Sequence, residues 1–374
     1  MNILYISNIL PVPWAGPTYS VPKQIQAQRK YDNVFWYNVI NPNKDENKKW
    51  FTDVDWNKYD YYADLSVYPT ENIKSLPYPF CKPDLIIVEQ FYGFARSSII
   101  KQLEKIDIPY IIVPRGELTK AAQKRKLIKK FLGNFFIFNK FARKAKAIHY
   151  LTPQEHEDSS LKWNSNYFII PNGIKPSITK KENYFKDSKL NCIAIGRIEP
   201  YQKGFDILIE ACSLVQDDLR KADCNIKIYG PDRVGRLNEL KKQAISSGVA
   251  DLLSFNDAIY GEEKIKMLLD CDVFVMTSRF EGHPMALIEA MDYGLPCVAT
   301  KGSNMKELIE EYDAGWTAEC TSSSIAKALR NMLIDKKNIK QKGFNAVRLA
   351  AEYDWDKLAK KSHEEYSKFI KNNS

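Results

Sequence analysis

The amino-acid sequence predicts an α/β protein built from two doubly wound, Rossmann-like domains facing a central cleft. Three observations carry this reading: strand-like apolar runs recur along the chain, helical patterns lie between most of them, and one polar stretch interrupts the alternation. The runs are Ile3–Ile6, Val34–Ile40, Leu85–Val88, Tyr110–Val113, Ala147–Leu151, Cys192–Ile195, Ile226–Tyr229, Val273–Met276 and Pro296–Thr300. Strands of a parallel sheet are covered on both faces, so they read as continuous apolar segments rather than alternations. The turn Pro171-Asn172-Gly173 and the polar stretch from Lys175 to Lys189 break the pattern, which restarts at Asn191. The boundary is therefore placed between a first domain, residues 1–172, and a second, residues 173–352. The tail, 353–374, is expected to be one last helix that packs back toward the first domain. Doubly wound sheets bind ligands at the carboxyl ends of their strands, which puts the expected site in the cleft.

Composition agrees with a chain of two cores. It has 374 residues, 44% of them hydrophobic, and a net charge of +9. No apolar run is long enough to span a membrane. The opening Met1-Asn2-Ile3-Leu4-Tyr5-Ile6-Ser7 lacks the basic start and small-residue cleavage site of a secretion signal, so a first strand and a cytoplasmic location are expected. The cysteines Cys81, Cys192, Cys212, Cys224, Cys271, Cys297 and Cys320 are odd in number and widely spaced, mostly among apolar neighbours. Reduced core thiols are expected, with neither a disulfide framework nor a metal site.

The most informative segment runs from Ser278 to Pro296 and follows the strand Val273–Met276. Pro284 suits the first helical position, where a missing N–H costs nothing, and Gly294 with Pro296 supplies the stop. A helix of about ten residues follows from that spacing. Its first turn would leave the N–H groups of Met285, Ala286 and Leu287 free, at the positive end of the helix dipole, which makes a diphosphate cradle. Glu281, just ahead of the helix with Gly282 and His283, can reach a sugar hydroxyl beside the phosphates. Glu289 lies inside the helix, about 7.5 Å along its axis at ~1.5 Å per residue. A single glutamate is ordinarily a loop or surface acid. Here the helix is apolar nearly all round, so a carboxylate on it needs hydrogen-bond donors, which ribose hydroxyls would supply.

A second constellation lies upstream, where Cys192–Ile195 leads into Gly196-Arg197-Ile198-Glu199-Pro200-Tyr201-Gln202-Lys203-Gly204 and then a helix over Phe205–Val215. Gly196 lets the backbone approach a ligand closely. Arg197 and Lys203 put two cations at the carboxyl end of a strand, where they can neutralise charge growing on a departing diphosphate. Either cation alone would be read as a solvated surface charge.

Taken together, these segments resemble the retaining GT-B glycosyltransferases, glycosyltransferase family 4 (the group 1 glycosyl transferases). The resemblance covers nearly the whole chain and rests on order and spacing: Pro171-Asn172-Gly173-Ile174, Gly196-Arg197 with Lys203-Gly204, then Glu281-Gly282-His283-Pro284, Glu289-Ala290-Met291 and Gly294-Leu295-Pro296. It implies a GT-B architecture with an acceptor-binding first domain and a nucleotide-sugar-binding second one. Arg197 and Lys203 would bind the donor diphosphate, Glu281 the transferred sugar and Glu289 the nucleotide ribose. No cofactor or metal is expected, the nucleoside diphosphate sugar being a co-substrate. Asp-x-Asp pairs at Asp53/Asp55, Asp270/Asp272 and Asp354/Asp356 are cheap matches outside any metal-site context. The turn Tyr229-Gly230-Pro231-Asp232 is expected to line the base pocket without choosing between uracil and guanine; a UDP-sugar is expected in preference to a GDP-sugar.

Two places depart from the family pattern. Where a Gly-Gly pair usually stands near the donor phosphates, this chain has Ala15-Gly16-Pro17. Where many members carry a His facing the sugar, it reads Val113-Pro114-Arg115-Gly116-Glu117, so that Arg115 takes over a polar contact or the segment is a plain turn. His149 and His156 flank another strand-to-helix turn and read as structural. His283, inside the cradle, reads as a donor contact.

From Leu118 to Gln154 there is no acid, while Lys120, Lys124, Arg125, Lys126, Lys129, Lys130, Lys140, Arg143, Lys144 and Lys146 fall within the span, interleaved with Phe131, Phe135, Phe136, Phe138 and Phe141. An amphipathic helix of this composition suits an anionic membrane surface; the same pattern is produced by a solvated basic face over core phenylalanines. No nucleic-acid module accompanies the charge. The expected activity is transfer of a hexosyl residue to a saccharide or lipid-linked saccharide hydroxyl in bacterial surface-polysaccharide assembly. The rival on the same fold is a sugar-nucleotide epimerase or hydrolase, separated by acceptor dependence. A nicotinamide-dependent oxidoreductase is disfavoured because Ser7-Asn8-Ile9-Leu10-Pro11, not Gly-x-Gly-x-x-Gly, follows the first strand. A non-catalytic membrane-associated adaptor would tolerate loss of Glu281.

Overall fold

The computed structural model describes the whole chain except residues 13–15, 49–54, 96, 125–126, 160–162, 186–188 and 372–374. Ala15, Arg125, Lys126 and Asp53, named above, lie outside the described residues. The chain divides into two compact units, Met1–Gly173 with Trp355–Ser374, and Ile174–Asp354.

The first unit is built on a parallel sheet of β1 (Asn2–Ser7), β2 (Asn33–Asn38), β3 (Tyr62–Asp64), β4 (Leu85–Glu89), β5 (Tyr110–Val113), β6 (Ala147–Tyr150) and β7 (Tyr167–Ile169). Their order is β3-β2-β1-β4-β5-β6-β7, so the winding reverses between β1 and β4. Ile3, Leu4, Tyr5 and Ile6 of β1 and Leu85, Ile86, Ile87 and Val88 of β4 are all fully buried. Covering such runs on both faces removes them from water, at about 1.5–3 kcal/mol for each large side chain. One face packs Leu4, Ile6, Ile86 and Val88 against Phe91, Phe138, Phe141 and Trp163. The other packs Ile3, Tyr5 and Ile87 against Val21 and Ile25 of the helix Gly16–Gln28 and against Trp355, Leu358 and Tyr366 of the helix Trp355–Lys371. The last helix of the chain thus covers the first sheet.

The second unit repeats the plan with β8 (Leu190–Ile195), β9 (Cys224–Tyr229), β10 (Leu253–Asn256), β11 (Val273–Met276), β12 (Cys297–Thr300) and β13 (Gly315–Ala318), ordered β10-β9-β8-β11-β12-β13. Its reversal falls between β8 and β11, which pair in parallel through Cys192 with Val273 and Ile193 with Phe274. Helices Phe205–Leu214 and Ser322–Ile334 cover one face, and Met285–Asp292 and Ile339–Ala350 the other.

Every run read as a strand from the sequence is a strand. The strands not anticipated are β3, β7, β10 and β13. The cysteines are free thiols, and burial pushes Cys271 up to about 11 and Cys297 up to about 12. No helix among the described residues is long and apolar enough to cross a membrane.

Candidate active site

Strand order brings the two informative segments together. β8 and β11 flank the reversal of the second sheet, and their carboxyl ends lead into Gly196-Arg197 and into Thr277–Glu281, the place where doubly wound sheets bind ligands. The segments are tied edge to edge. The Thr277 hydroxyl donates to the carbonyls of Lys203 (3.1 Å) and Gly204 (3.0 Å), and the Arg279 N–H donates to the Gln202 carbonyl at 2.9 Å. Arg279 also forms a two-pronged ion pair with Asp206, both contacts 2.8 Å.

Gly204 makes this approach possible. Its φ of +67° lies in the left-handed region, and a Cβ there would sit 2.0 Å from the Thr277 carbonyl oxygen. Gly230, after β9, is required for a similar reason, since a Cβ on it would lie 1.7 Å from the Gly196 carbonyl oxygen. Tyr229 beside it is partly buried, its hydroxyl 3.3 Å from the Met267 sulfur.

Within this frame Lys203 Nζ and Glu281 Oε1 form an ion pair of 2.7 Å, their side chains only 15% and 8% exposed. Ser278 donates its hydroxyl to the same carboxylate oxygen, and Asn304 Nδ2 holds the Glu281 carbonyl at 2.6 Å. Glu281 is therefore fixed by its side chain and its backbone, with Lys203 as counter-ion. Arg197 is more open, 2.9 Å from Glu199 and 3.2 Å from Gln202. Gly196 lies against the stem of Lys203, and Gly282 faces open space.

The helix Met285–Asp292 is shorter than the spacing suggests, and Pro284 precedes it as the cap rather than opening it. Met285 N–H turns back to the His283 carbonyl (2.9 Å) and Leu287 N–H to the Pro284 carbonyl (3.0 Å), so the expected row of free N–H groups is partly used. A proline cap has no side-chain acceptor, and the chain tightens here instead. Nor is the helix buried all round. Leu287, Ile288, Ala290 and Met291 are buried, whereas Met285, Ala286 and Glu289 share a partly open face. Glu289 pairs there with Lys264 of the helix Gly261–Asp270. His283 is partly exposed, but its Nε2 is covered and has no hydrogen-bond partner among the described residues, while Nδ1 lies 3.1 Å from the Met285 sulfur. Burial pulls its pKa down to about 3, so the imidazole is neutral at neutral pH.

Arg115 is placed differently from a sugar-facing cation. It stands at φ +50° after β5, 5% exposed, and its guanidinium is consumed by Glu89 (2.7 Å), Ser20 (3.2 Å), Gln24 (2.8 Å) and Asn172 (3.1 Å). Gly116 N–H donates to Glu155, whose other oxygen accepts from Leu151 N–H at 2.7 Å. Pro114-Arg115-Gly116 is a structural turn. Gly16 opens the helix Gly16–Gln28 with nothing near a Cβ, so packing does not demand glycine there. His149 is buried against the Ile170 carbonyl at 2.8 Å, and His156 stacks on Tyr167. Asp272 is buried and accepts from Asn191 and Phe185 N–H, both at 2.9 Å, a structural role.

Sequence reasoning missed Lys264, Ser278 and Asn304. Lys264 is one lysine among several on a polar helix, and nothing local marks it. Ser278 lies two residues after β11 and Asn304 four after β12, and both could have been suspected from that position at the carboxyl ends of strands.

A family model described as glycosyl transferases group 1 matches residues 177–346. Mannosylfructose-phosphate synthase of Agrobacterium fabrum is 27% identical over 164 residues, 43% of this chain and 34% of that protein. Amylovoran biosynthesis glycosyltransferase AmsK of Erwinia amylovora is 33% identical over 140 residues, 34% of this chain and 32% of that one. The chain thus matches about a third of the length of these curated relatives (34% and 32%). Among solved structures, Anabaena HepE in complex with UDP superposes with a TM-score of 0.72 at 16% identity, over 98% of this chain and 100% of that one, a likeness of fold. Residues 177–346 thus match the glycosyl transferases group 1 family, and the two parallel-sheet units share the fold of solved GT-B glycosyltransferases.

Proposed function

We propose that this protein is a retaining glycosyltransferase that moves a hexosyl residue from a nucleoside diphosphate sugar, a UDP-sugar in preference to a GDP-sugar, to a hydroxyl of a saccharide or lipid-linked saccharide. The observation that carries the reading is the Lys203–Glu281 pair at the β8/β11 reversal, with Glu289 on the open face of the adjoining helix. The crystallised relative HepE binds UDP, and AmsK acts in amylovoran biosynthesis; both support the assignment by analogy. Bacterial surface-polysaccharide assembly at the cytoplasmic face of a membrane is the setting that this chemistry suits.

In this mechanism Lys203 and Arg197 stabilise charge on the departing diphosphate, Glu281 orients the sugar and Glu289 holds the nucleotide ribose. The acceptor oxygen attacks the anomeric carbon on the face from which the diphosphate leaves. The carbon–oxygen bond to diphosphate breaks, and the acceptor proton passes to a diphosphate oxygen. No enzyme nucleophile is needed, nor a metal.

A thermal-shift screen of UDP- and GDP-sugars with NAD as control is the first test, since a ligand at about 100 times its Kd stabilises by ~2.7 kcal/mol. The sugar that shifts the protein is then assayed for nucleotide release with and without acceptor, in the presence of EDTA. Acceptor-dependent release with retained configuration is expected. Acceptor-independent turnover would replace the reading with an epimerase or hydrolase, and a glycosyl group trapped on a side chain would overturn the same-face step.

A further inference from the structure

We propose that the outward stripe Ile128, Phe131, Leu132, Phe135 and Phe136 is a membrane-insertion face whose partner is an anionic phospholipid surface. The residues recur at three, four, seven and eight positions, one side of a helix, through the helix Leu127–Gly133 and the π-helical turn Asn134–Phe138. Their exposure is 76%, 70%, 50%, 72% and 71% in that order. A helix on a water-soluble surface ordinarily points its apolar stripe inward, and contiguous exposed apolar patches mark interaction sites.

The stripe is not a displaced piece of core, because the opposite side of the same segment is already anchored. Phe138 and Phe141 are buried with Phe91 and Trp163. Asn134 accepts from the Tyr92 hydroxyl at 2.8 Å, and the Lys130 ammonium sits 4.4 Å over the Tyr92 ring while donating to the Ala122 carbonyl at 2.7 Å. Turning the stripe inward would break each of these contacts.

Charge selects the occupant. The span from Leu118 to Gln154 holds no acid, and Lys120, Lys129, Arg143 and Lys144 within it are exposed. Reversible anchoring takes two signals, apolar insertion and attraction of cations to anionic headgroups, and both are present on this one segment. The link to a lipid-linked acceptor rests on the proposed transfer function, whereas the binding itself does not.

The test is flotation of the full chain with phosphatidylcholine vesicles and with phosphatidylcholine–phosphatidylglycerol vesicles. Binding to the mixed vesicles alone is expected, weakened at about 1 M salt, where the screening length falls to ~3 Å. The triple variant F131S/F135S/F136S should bind roughly tenfold more weakly or less, while its thermal midpoint and its shift by nucleotide sugar match the parent. The proposal is overturned if the parent does not float with anionic vesicles, if the triple variant floats equally, or if the parent is a lipid-free dimer that the substitutions convert to monomer. A parent that floats but transfers no sugar would sink the transferase reading and leave this one standing.

Discussion

The two units reverse their strand order at equivalent places and spend their charges there in opposite ways. At the β1/β4 reversal of the first unit, the buried Glu89 and Arg115 neutralise one another, and Ser20, Gln24 and Asn172 take up the rest of the guanidinium. At the β8/β11 reversal of the second, Glu281 and Glu289 each face one lysine on loops and helix faces that remain partly open, with Arg197 half exposed beside them. The same topology therefore yields a closed, structural knot in one unit and the candidate site in the other. A topological switch point creates the opportunity for a site, and the neighbouring side chains decide whether it is used.

That contrast can be broken from either side. The largest effect is expected in the first unit, where Arg115→Met leaves the Glu89 carboxylate buried without its counter-ion. Loss of about 3–5 kcal/mol in chemical denaturation is expected, with nucleotide-sugar affinity of the folded protein unchanged. Unaltered stability with lost turnover would instead put Arg115 on the substrate. In the second unit, Lys203→Ala and Glu281→Ala should each lower kcat by roughly 10²–10³-fold, with a smaller loss of stability than Arg115→Met because this pair is less completely buried. Equal stability losses in the two units would erase the distinction.

The contrast extends to pH. His149, fully buried in the first unit, has its pKa pulled down to about 4 by burial, whereas the unfolded chain takes up that proton near pH 6.5. Between those values the unfolded state binds more protons, so this contribution is complete above about pH 6.5 and is lost as pH falls toward 4, by up to ~3 kcal/mol. Urea denaturation across that range should show the slope, and His149→Phe should flatten it. His283 acts with the same sign, over a window reaching down to about pH 3. The smallest effect is expected of Glu289→Ala, a roughly tenfold weaker grip on nucleotide with kcat largely kept. Kinetics in which Glu281→Ala and Glu289→Ala alter kcat and KM alike would undo the division of roles between the two acids.

The strands that escaped sequence reading are the outer strands of both sheets. β3, β7, β10 and β13 are three or four residues each, and β7, β10 and β13 have exposed or half-exposed positions. An interior strand is covered by helices on both faces and by neighbours on both sides, so it is a continuous apolar run even where it is only four residues long, as in β5, β6, β11 and β12. An edge strand pairs on one side only and does not need continuous hydrophobicity. At the site, Gly204 and Gly230 were legible as glycines following buried strands. Lys264 was not, because its role depends on which helix lies beside Met285–Asp292. The basic aromatic segment divided as well: periodicity shows a stripe, but only packing shows that Phe138 and Phe141 face inward while Phe131, Phe135 and Phe136 face out.

By itself, then, the sequence determined the α/β alternation, the interior strands and the two loop segments rich in glycine and charge. All of these are written in local periodicity and turn chemistry, which act over a few neighbouring residues. Tertiary structure alone decided that β8 and β11 are neighbours, that Lys203 meets Glu281 and Lys264 meets Glu289, and that Arg115 closes a knot instead of opening onto a ligand. Such pairings join residues far apart in the chain, where crossover connections and the burial of each charge set the partners and no local pattern records the outcome.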